Sequence, residues 1–229
     1  MLSDEDSSTA NIVTELTPSI SLPQKRRDRS FLARLHGEPG VVNLAGNYNY
    51  LETGYYTSLD LEAEGFDIHP TCKEALDAYV TPLMLEKAKL NDVPVPEWYI
   101  TNGYFEPPVI IDTINPFMTR HSIVERQGHV DRVAKSMTRN FKYAICCQEI
   151  PHEATVGSFR AILGWSVVPA HRPLAEALWK VFRIPLAVVR TIQLADDQIL
   201  LSDINPLPFE KLNNRERFFL QKRIEQWLI

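Results

Sequence analysis

Apolar and polar positions alternate along the chain in short segments, and no apolar run approaches the roughly 18 residues a membrane-spanning helix needs. Gly37 to Gly40 leads into VVNLA, an apolar run of strand length beginning at Val41. A turn dense in Asn and Tyr follows. Over residues 54–64, Tyr55, Leu59, Leu61 and Ala63 are apolar with acids spaced between them, which predicts a helix that Gly65 breaks. FDIHP, closed by Pro70, predicts the next strand. Strand–helix–strand implies a parallel pair joined by a right-handed crossover. Thr71 is placed to cap a helix over Lys73 to Ala88, which Pro82 should interrupt or restart. VPVPEWYI, from Val93 to Ile100, predicts an extended edge segment, because two prolines withhold the amides a central strand needs.

PPVIIDTINPF predicts a buried strand ending at the Asn115-Pro116 turn, and Ser122 to Glu125 a short strand. Val130, Val133, Ala134 and Met137 recur at helical spacing, with Asp131, Arg132 and Lys135 on the outer side. KYAICCQEI and SFRAILGWSVV predict two strands whose connection, PHEATVG, suits an antiparallel hairpin. Leu174, Ala177, Leu178, Val181 and Phe182 form the stripe of a further helix. PLAVVRTIQL and QILLSDI predict strands around an Asp196-Asp197 turn, the second stopped by Asn205-Pro206 and Pro208. Asn213 or Asn214 should cap a last helix over Arg215 to Leu228, with Phe218, Phe219, Ile224 and Trp227 as its buried side. The fold class that follows is α/β or α+β, with a mixed β-sheet layered against helices.

Composition refines this picture. Residues 1–30 read as a disordered tail: acids first, then a cluster of Lys25, Arg26, Arg27 and Arg29, with too little apolar surface to offset the entropy of ordering. The cluster suits contact with phosphate or RNA, or simple solvation as a charged linker. Residues 31–229 form a single domain or two lobes, 31–95 and 96–229. The formal net charge of −5 argues against a nucleic-acid partner. The acidic start, MLSDEDSS, lacks the basic and then apolar character of a secretory signal. Three cysteines make no even disulfide framework. A soluble, cytoplasmic protein without a membrane span is the expectation.

Candidate chemistry is sparse. His69 and Cys72 stand at ligand spacing, but no second pair does. Cys146 and Cys147 are adjacent in a strand and point to opposite faces, so they cannot easily share an ion. His121 and His129 flank a loop. The chain has no G-x-S-x-G, P-loop or G-x-G-x-x-G motif. The stretch from Asn43 to Ser58 is richer. It sits beyond the carboxyl end of a strand, where open α/β sheets bind ligands. Asn43, Asn47, Tyr48, Tyr50, Tyr55, Tyr56 and Ser58 combine two-way hydrogen bonding with aromatic surface, suited to a ligand or partner and equally to packing a helix on a sheet. Arg120, Arg126, Arg132, Arg139, Lys142 and Arg160 concentrate positive charge in an acidic chain. Arg139 and Asn140, before a strand, and Arg160 are candidates for an anionic ligand, with ion pairs to Glu125, Asp131 and Glu149 as the alternative.

Several of these residues carry a family resemblance. Asn43-Leu44, Tyr48-Asn49-Tyr50, Gly54-Tyr55-Tyr56-Thr57-Ser58-Leu59, Ala63-Glu64-Gly65 and Pro70 resemble the signature of the RimK-like ATP-grasp N-terminal domain. Leu174 to Leu194 and the stretch from Ile199 to Phe219 resemble its closing elements. The middle, about residues 90 to 170, matches less clearly and is longer than usual. The resemblance implies a module fused to, or encoded near, an enzyme that joins amino acids by ATP-driven amide formation. It brings no catalytic residues and no cofactor of its own. The stand-alone length leaves no room for a full ligase after Ile229. The expected partners are an ATP-grasp ligase or its peptide substrate, with a homo-oligomer as a structural alternative.

A second resemblance points to the ligase fold itself. VPVPEWYI is similar to its opening strand, ICCQEI to its hinge strand, FRAILGW to the strand after it, and Asp203-Ile204-Asn205-Pro206 to its magnesium strand. This implies a minimal amide ligase in which Asp203 and Asn205 hold Mg with ATP. Asp112 stands where that fold would need a phosphate lysine, and no glycine-rich flap follows it.

Overall fold

The computed structural model describes residues 29–117 and 120–228. The expected tail, and with it Lys25, Arg26 and Arg27, lies almost wholly outside the described residues; Arg29 is held by the carboxylate of Glu64 at 2.8 and 3.0 Å.

Three sheets and six α-helices make a mixed α+β architecture. The first sheet has the order β11-β1-β2-β3. Its first-met strands are β1 (Leu32–Leu35), β2 (Val41–Asn43) and β3 (Ile68–His69), and β11 (Ile224–Trp227) joins from the end of the chain. β2 and β3 pair in parallel, Val41 beside Ile68, across helix α1 (Thr53–Ala63), as the strand–helix–strand pattern requires. The remaining pairs of this sheet are antiparallel.

Helix α2 (Cys72–Tyr79) opens on a capping box: the Thr71 hydroxyl accepts from the Glu74 amide, and the Glu74 carboxylate accepts from the Thr71 amide. Such reciprocal capping satisfies two donors that the first turn would leave orphaned. Pro82 does not kink this helix. It begins a new one, α3 (Thr81–Lys89), where its missing amide costs nothing.

The second sheet, order β4-β7-β5-β6, occupies the middle of the chain. It contains β4 (Trp98–Thr101), β5 (Val109–Thr113), β6 (His121–Val124) and β7 (Ile145–Glu149), with α4 (Val130–Met137) against one face. The proline-rich segment does supply an edge strand. The lengthened middle of the sequence is therefore a sheet of its own. The third sheet, order β10-β9-β8, is antiparallel and consists of β8 (Thr155–Ile162), β9 (Leu186–Gln193) and β10 (Ile199–Pro206), with α5 (Arg172–Phe182) between β8 and β9.

Two expectations are corrected here. β7 and β8 do not form a hairpin. Both edges of β7 are already taken, by β4 and β5, so the chain leaves at Pro151 and β8 pairs with β9 in another sheet. The last helix, α6 (Asn214–Arg223), stops short of Leu228. Its Asn213 cap is as expected, but the chain then becomes strand β11 along the edge of β1, and Phe218 is exposed rather than buried.

The largest core packs helices α1, α2, α3 and α5 and the Tyr48 turn on the third sheet through Tyr48, Tyr55, Tyr79, Met84, Leu85, Leu178, Phe182 and Val189, and a second joins the first and third sheets through Ala33, Leu35, Val42, Ile162 and Leu186. A separate core lies between the second sheet and α4, around Ile111, Val124, Met137 and Ile145. Cys146 belongs to the largest core and Cys147 to the one against α4, the opposite faces that their adjacency in β7 requires.

Candidate functional site

The inner face of the second sheet meets the third sheet through buried charge. In β5, Val109 and Ile111 turn toward α4, so Ile110 and Asp112 turn the other way. Asp112 is fully buried. Arg190 of β9 grips it with both ends of its guanidinium, Nη1 to Oδ1 at 2.9 Å and Nη2 to Oδ2 at 2.6 Å. A planar fork meeting a carboxylate this way is the strongest form of charged hydrogen bond a side-chain pair makes. Gln148 of β7 donates to Asp112 Oδ2 at 2.8 Å and to the Ser202 carbonyl at 3.0 Å.

A bulge in β10 completes the arrangement. The register between β9 and β10 shifts between Leu201 and Asp203, which sets Asp203 opposite Arg190. The bulged residue is left out of the regular ladder, so its backbone is free to serve side chains. Ser202 accepts from Arg190 Nε at its hydroxyl, 2.8 Å, and from Nη2 at its carbonyl, 3.4 Å. Asp203 Oδ2 stands 3.9 Å from Arg190 Nη1 and accepts from Asn205 Nδ2 at 2.7 Å. Its Oδ1, like Gln148 Oε1, is buried with no partner. Burial pushes the Asp203 carboxyl up to about 6, against the pull of Arg190 and with a further push from Asp112. For Arg190 burial works against the charge, but Asp203 and Asp112 outweigh it and hold the guanidinium above its ordinary value.

These residues do not fit Mg-ATP. The charge facing Asp203 is already a guanidinium, and the side chain that shares it from β5 is a second acid. No lysine hydrogen-bonds to this network among the described residues, and no cluster of three or more His, Cys, Asp or Glu suited to a metal occurs among them. Lone charges in apolar strands were the sequence signal for this network: Asp112 in VIIDT, Arg190 in LAVVRTIQ and Asp203 in ILLSDI. A buried charge without a partner is too costly to keep.

The Asn43–Ser58 stretch divides into an inner and an outer part. Asn43 ends β2 fully buried, where its Nδ2 donates to the Gly54 carbonyl at 2.9 Å and the Ser58 hydroxyl at 3.2 Å. Its backbone carbonyl accepts from the Tyr48 hydroxyl, and burial raises that phenol far above its usual range. Tyr48 also stacks on Tyr79, 6.5 Å between centroids. Gly54 is required because its α-carbon lies against the Asn47 carbonyl, where a side chain would collide. Asn47 Oδ1 accepts from the amide and side chain of Asn49 and shapes the turn. Asn43, Tyr48 and Ser58 therefore hold the loop from within.

The outer part is aromatic. Tyr50 is 37% exposed, Tyr56 42% and Phe117 52%. Tyr50 packs edge-on against Tyr55 at 5.2 Å and Phe117 at 5.3 Å, and Tyr55 against Tyr56 at 6.3 Å. The Tyr50 amide donates to the Pro116 carbonyl, 3.1 Å, which ties this loop to the connection after β5. Leu51 and Leu59 are exposed in the same segment. Tyr55 is the buried root of the group, its phenol raised to about 12 by burial, with Cys72 beside it adding to the shift. Phe117 carried no signal in the sequence, since only the fold brings the two loops together.

The basic candidates lie elsewhere. Arg160 donates to the Lys211 carbonyl at 3.0 Å and to Glu216 at 3.1 Å, so it anchors the capping box of α6. Arg139 and Asn140 sit exposed in a left-handed turn after α4, with Arg139 over the Tyr143 ring at 5.7 Å. Arg120, His121, Ser122, Arg132 and Ser136 line a cavity of about 250 Å³ between β6 and α4. None of Arg120, Arg126, Arg132, Arg139 and Lys142 forms an ion pair within 4.0 Å among the described residues, so the expected pairs to Glu125, Asp131 and Glu149 are absent there. His69 bonds Glu74 at 3.0 Å and belongs to no group of three or more His, Cys, Asp or Glu suited to a metal among the described residues.

The fold has relatives among solved structures. A RimK domain ATP-grasp protein from Sphaerobacter thermophilus superposes with a TM-score of 0.52 at 16% identity, over 72% of this chain and 71% of that one. The D-alanine-D-alanine ligase of Helicobacter pylori superposes with a TM-score of 0.55 at 12% identity, over 79% and 70%. At such identities the likeness establishes a shared ATP-grasp-like fold. No curated protein matches by sequence. No helix among the described residues is long and apolar enough to cross a membrane. The family model of the RimK-like ATPgrasp N-terminal domain matches residues 29–223, and with most of its length so covered the chain belongs to that family.

Proposed function

We propose that this chain is a non-catalytic recognition or accessory module of an amide-forming ATP-grasp ligase. It contacts the ligase or its peptide substrate through the aromatic face of Tyr50, Tyr56 and Phe117. The observation that carries this reading is that face: three large rings, each more than a third exposed, with Tyr50 and Tyr56 each edge-on to the buried Tyr55 and Phe117 edge-on to Tyr50. Rigid aromatic rings with polar tips supply much contact area for little lost side-chain freedom, which is why they dominate the centres of protein interfaces. Family membership supplies the class of partner, and the internally paired cleft favours a partner role over catalysis.

The test is co-purification with the RimK-like ligase encoded nearest to the chain. Tyr50→Ala, Tyr56→Ala and Phe117→Ala together should abolish pairing while circular dichroism and the unfolding midpoint stay close to wild type. Tyr55 is left intact because it belongs to the core. Unchanged pairing by the folded triple variant refutes the proposal.

A further inference from the structure

Asp203 and Asn205 alternate along β10 and bring two oxygen-bearing side chains to one face, the kind of pair a hard divalent cation takes. What faces Asp203 is Arg190. Its Nη1 is 3.9 Å from Asp203 Oδ2, and both of its terminal nitrogens bond Asp112 across the gap between the sheets. The guanidinium meets only oxygens: the Asp112 carboxylate, the Asp203 carboxylate, and the Ser202 carbonyl and hydroxyl, while Gln148 Nε2 and Asn205 Nδ2 donate to the same carboxylates from outside. Two oxygens, Asp203 Oδ1 and Gln148 Oε1, are buried and unpartnered.

We propose that Arg190 is a built-in counter-cation: its guanidinium takes the place of a divalent ion between Asp112 and Asp203 and makes the cleft a permanent joint of the two sheets. The charges balance in a way that suits this role. Two acids share one guanidinium, a deficit that a dication would remove, so deleting Arg190 leaves two buried carboxyl groups with no counter-cation, which a divalent ion can restore by displacing the proton they would otherwise hold. A second consequence concerns nucleotide. With a carboxylate on β5 and a guanidinium in the cation's place, this buried network offers phosphate a negative charge and a metal a positive one. The proposal shares with the accessory reading only the denial of nucleotide to this cleft, and failure of ligase pairing at the aromatic face leaves it untouched.

The experiment is a thermal-unfolding titration with Mn²⁺, Ca²⁺ and Mg-ADP on wild type, Arg190→Lys, Arg190→Gln and Arg190→Ala. Wild type and Arg190→Lys should show no saturable shift with any of them, since both keep a cation in place. Arg190→Ala and Arg190→Gln should unfold at lower temperature and regain much of the loss with Mn²⁺ or Ca²⁺, but not with sodium at equal ionic strength. Adding Asp203→Asn to either should cancel the rescue. If the two variants do not fold in metal-free buffer, refolding in Mn²⁺ should recover them, and failure to recover overturns the proposal. Folded variants that ignore divalent ions overturn it too. Saturable stabilisation of wild type by Mg-ADP overturns it outright.

Discussion

The cleft between the second and third sheets and the loop around Tyr50 use their side chains in opposite ways. In the cleft Asp112, Gln148, Arg190, Ser202 and Asp203 are all buried and spend most of their bonding capacity on one another. At the loop, Tyr50 packs on Phe117 and Tyr55, Tyr56 packs on Tyr55, and Tyr50, Tyr56 and Phe117 keep large faces in solvent. On the proposed reading, the capacity to bind a partner lies at the exposed rings. The bidentate Arg190–Asp112 pair and the Gln148 bonds fix the two sheets against each other. Exposed rings on a fixed root remain available to another molecule.

The largest effect expected from breaking this contrast is on the cleft. Arg190→Met leaves two carboxylates buried without a cation, and loss of one partner from such a pair costs about 3–5 kcal/mol. Urea unfolding should show it as a fall in midpoint at unchanged slope. Asp112→Asn with Arg190→Gln, which removes both charges, should lose much less than Arg190→Met.

Tyr48→Phe comes next. It deprives the buried Asn43 carbonyl of its phenol donor, a loss of about 1–3 kcal/mol. It should shift the unfolding midpoint and loosen amide exchange across residues 43–50, because that one contact closes the inner half of the loop.

Proton linkage gives a smaller effect. Burial raises Asp203 from the ordinary carboxylate range to about 6, so between those limits the folded chain binds more protons than the unfolded one. This carboxyl therefore contributes stability below the ordinary range that is lost as pH rises through about 6. Asp203→Asn should flatten that part of the pH–stability curve, and an unchanged slope would show that Asp203 titrates normally. The smallest stability effects belong to the rim. Tyr50→Ser, Tyr56→Ser and Phe117→Ser should each change stability by under about 0.5–1 kcal/mol, because exposed positions outside capped or buried networks tolerate change.

Much of the scaffold was legible because local chemistry decides it. Thr71 and Glu74 spell out a capping box, Pro82 forces a helix restart, and Pro94 and Pro96 delay the edge strand β4 until Trp98. The period of two in PPVIIDT and ICCQE told which residues share a face, but not what that face meets. That is why the β7–β8 hairpin was expected: neighbours in sequence usually pair, and nothing local reveals that β4 and β5 already occupy β7. The strand at Ile224–Trp227 was hidden for the same reason, since only β1 gives it a partner. At the candidate sites, the Gly54-Tyr55-Tyr56 motif announced the loop, but its division into buried Tyr48 and exposed Tyr50 depends on tertiary contacts. The bulge that sets Asp203 against Arg190 left no local mark at all.

The most direct test of a partner-binding module is recovery of an ATP-grasp ligase from a lysate of the native host on immobilised chain, wild type against the Tyr50, Tyr56 and Phe117 triple alanine variant, with bound proteins identified by mass spectrometry. The account predicts a RimK-like ligase enriched on the wild type and lost from the folded variant. Equal recovery on both, or no ligase on either, contradicts it.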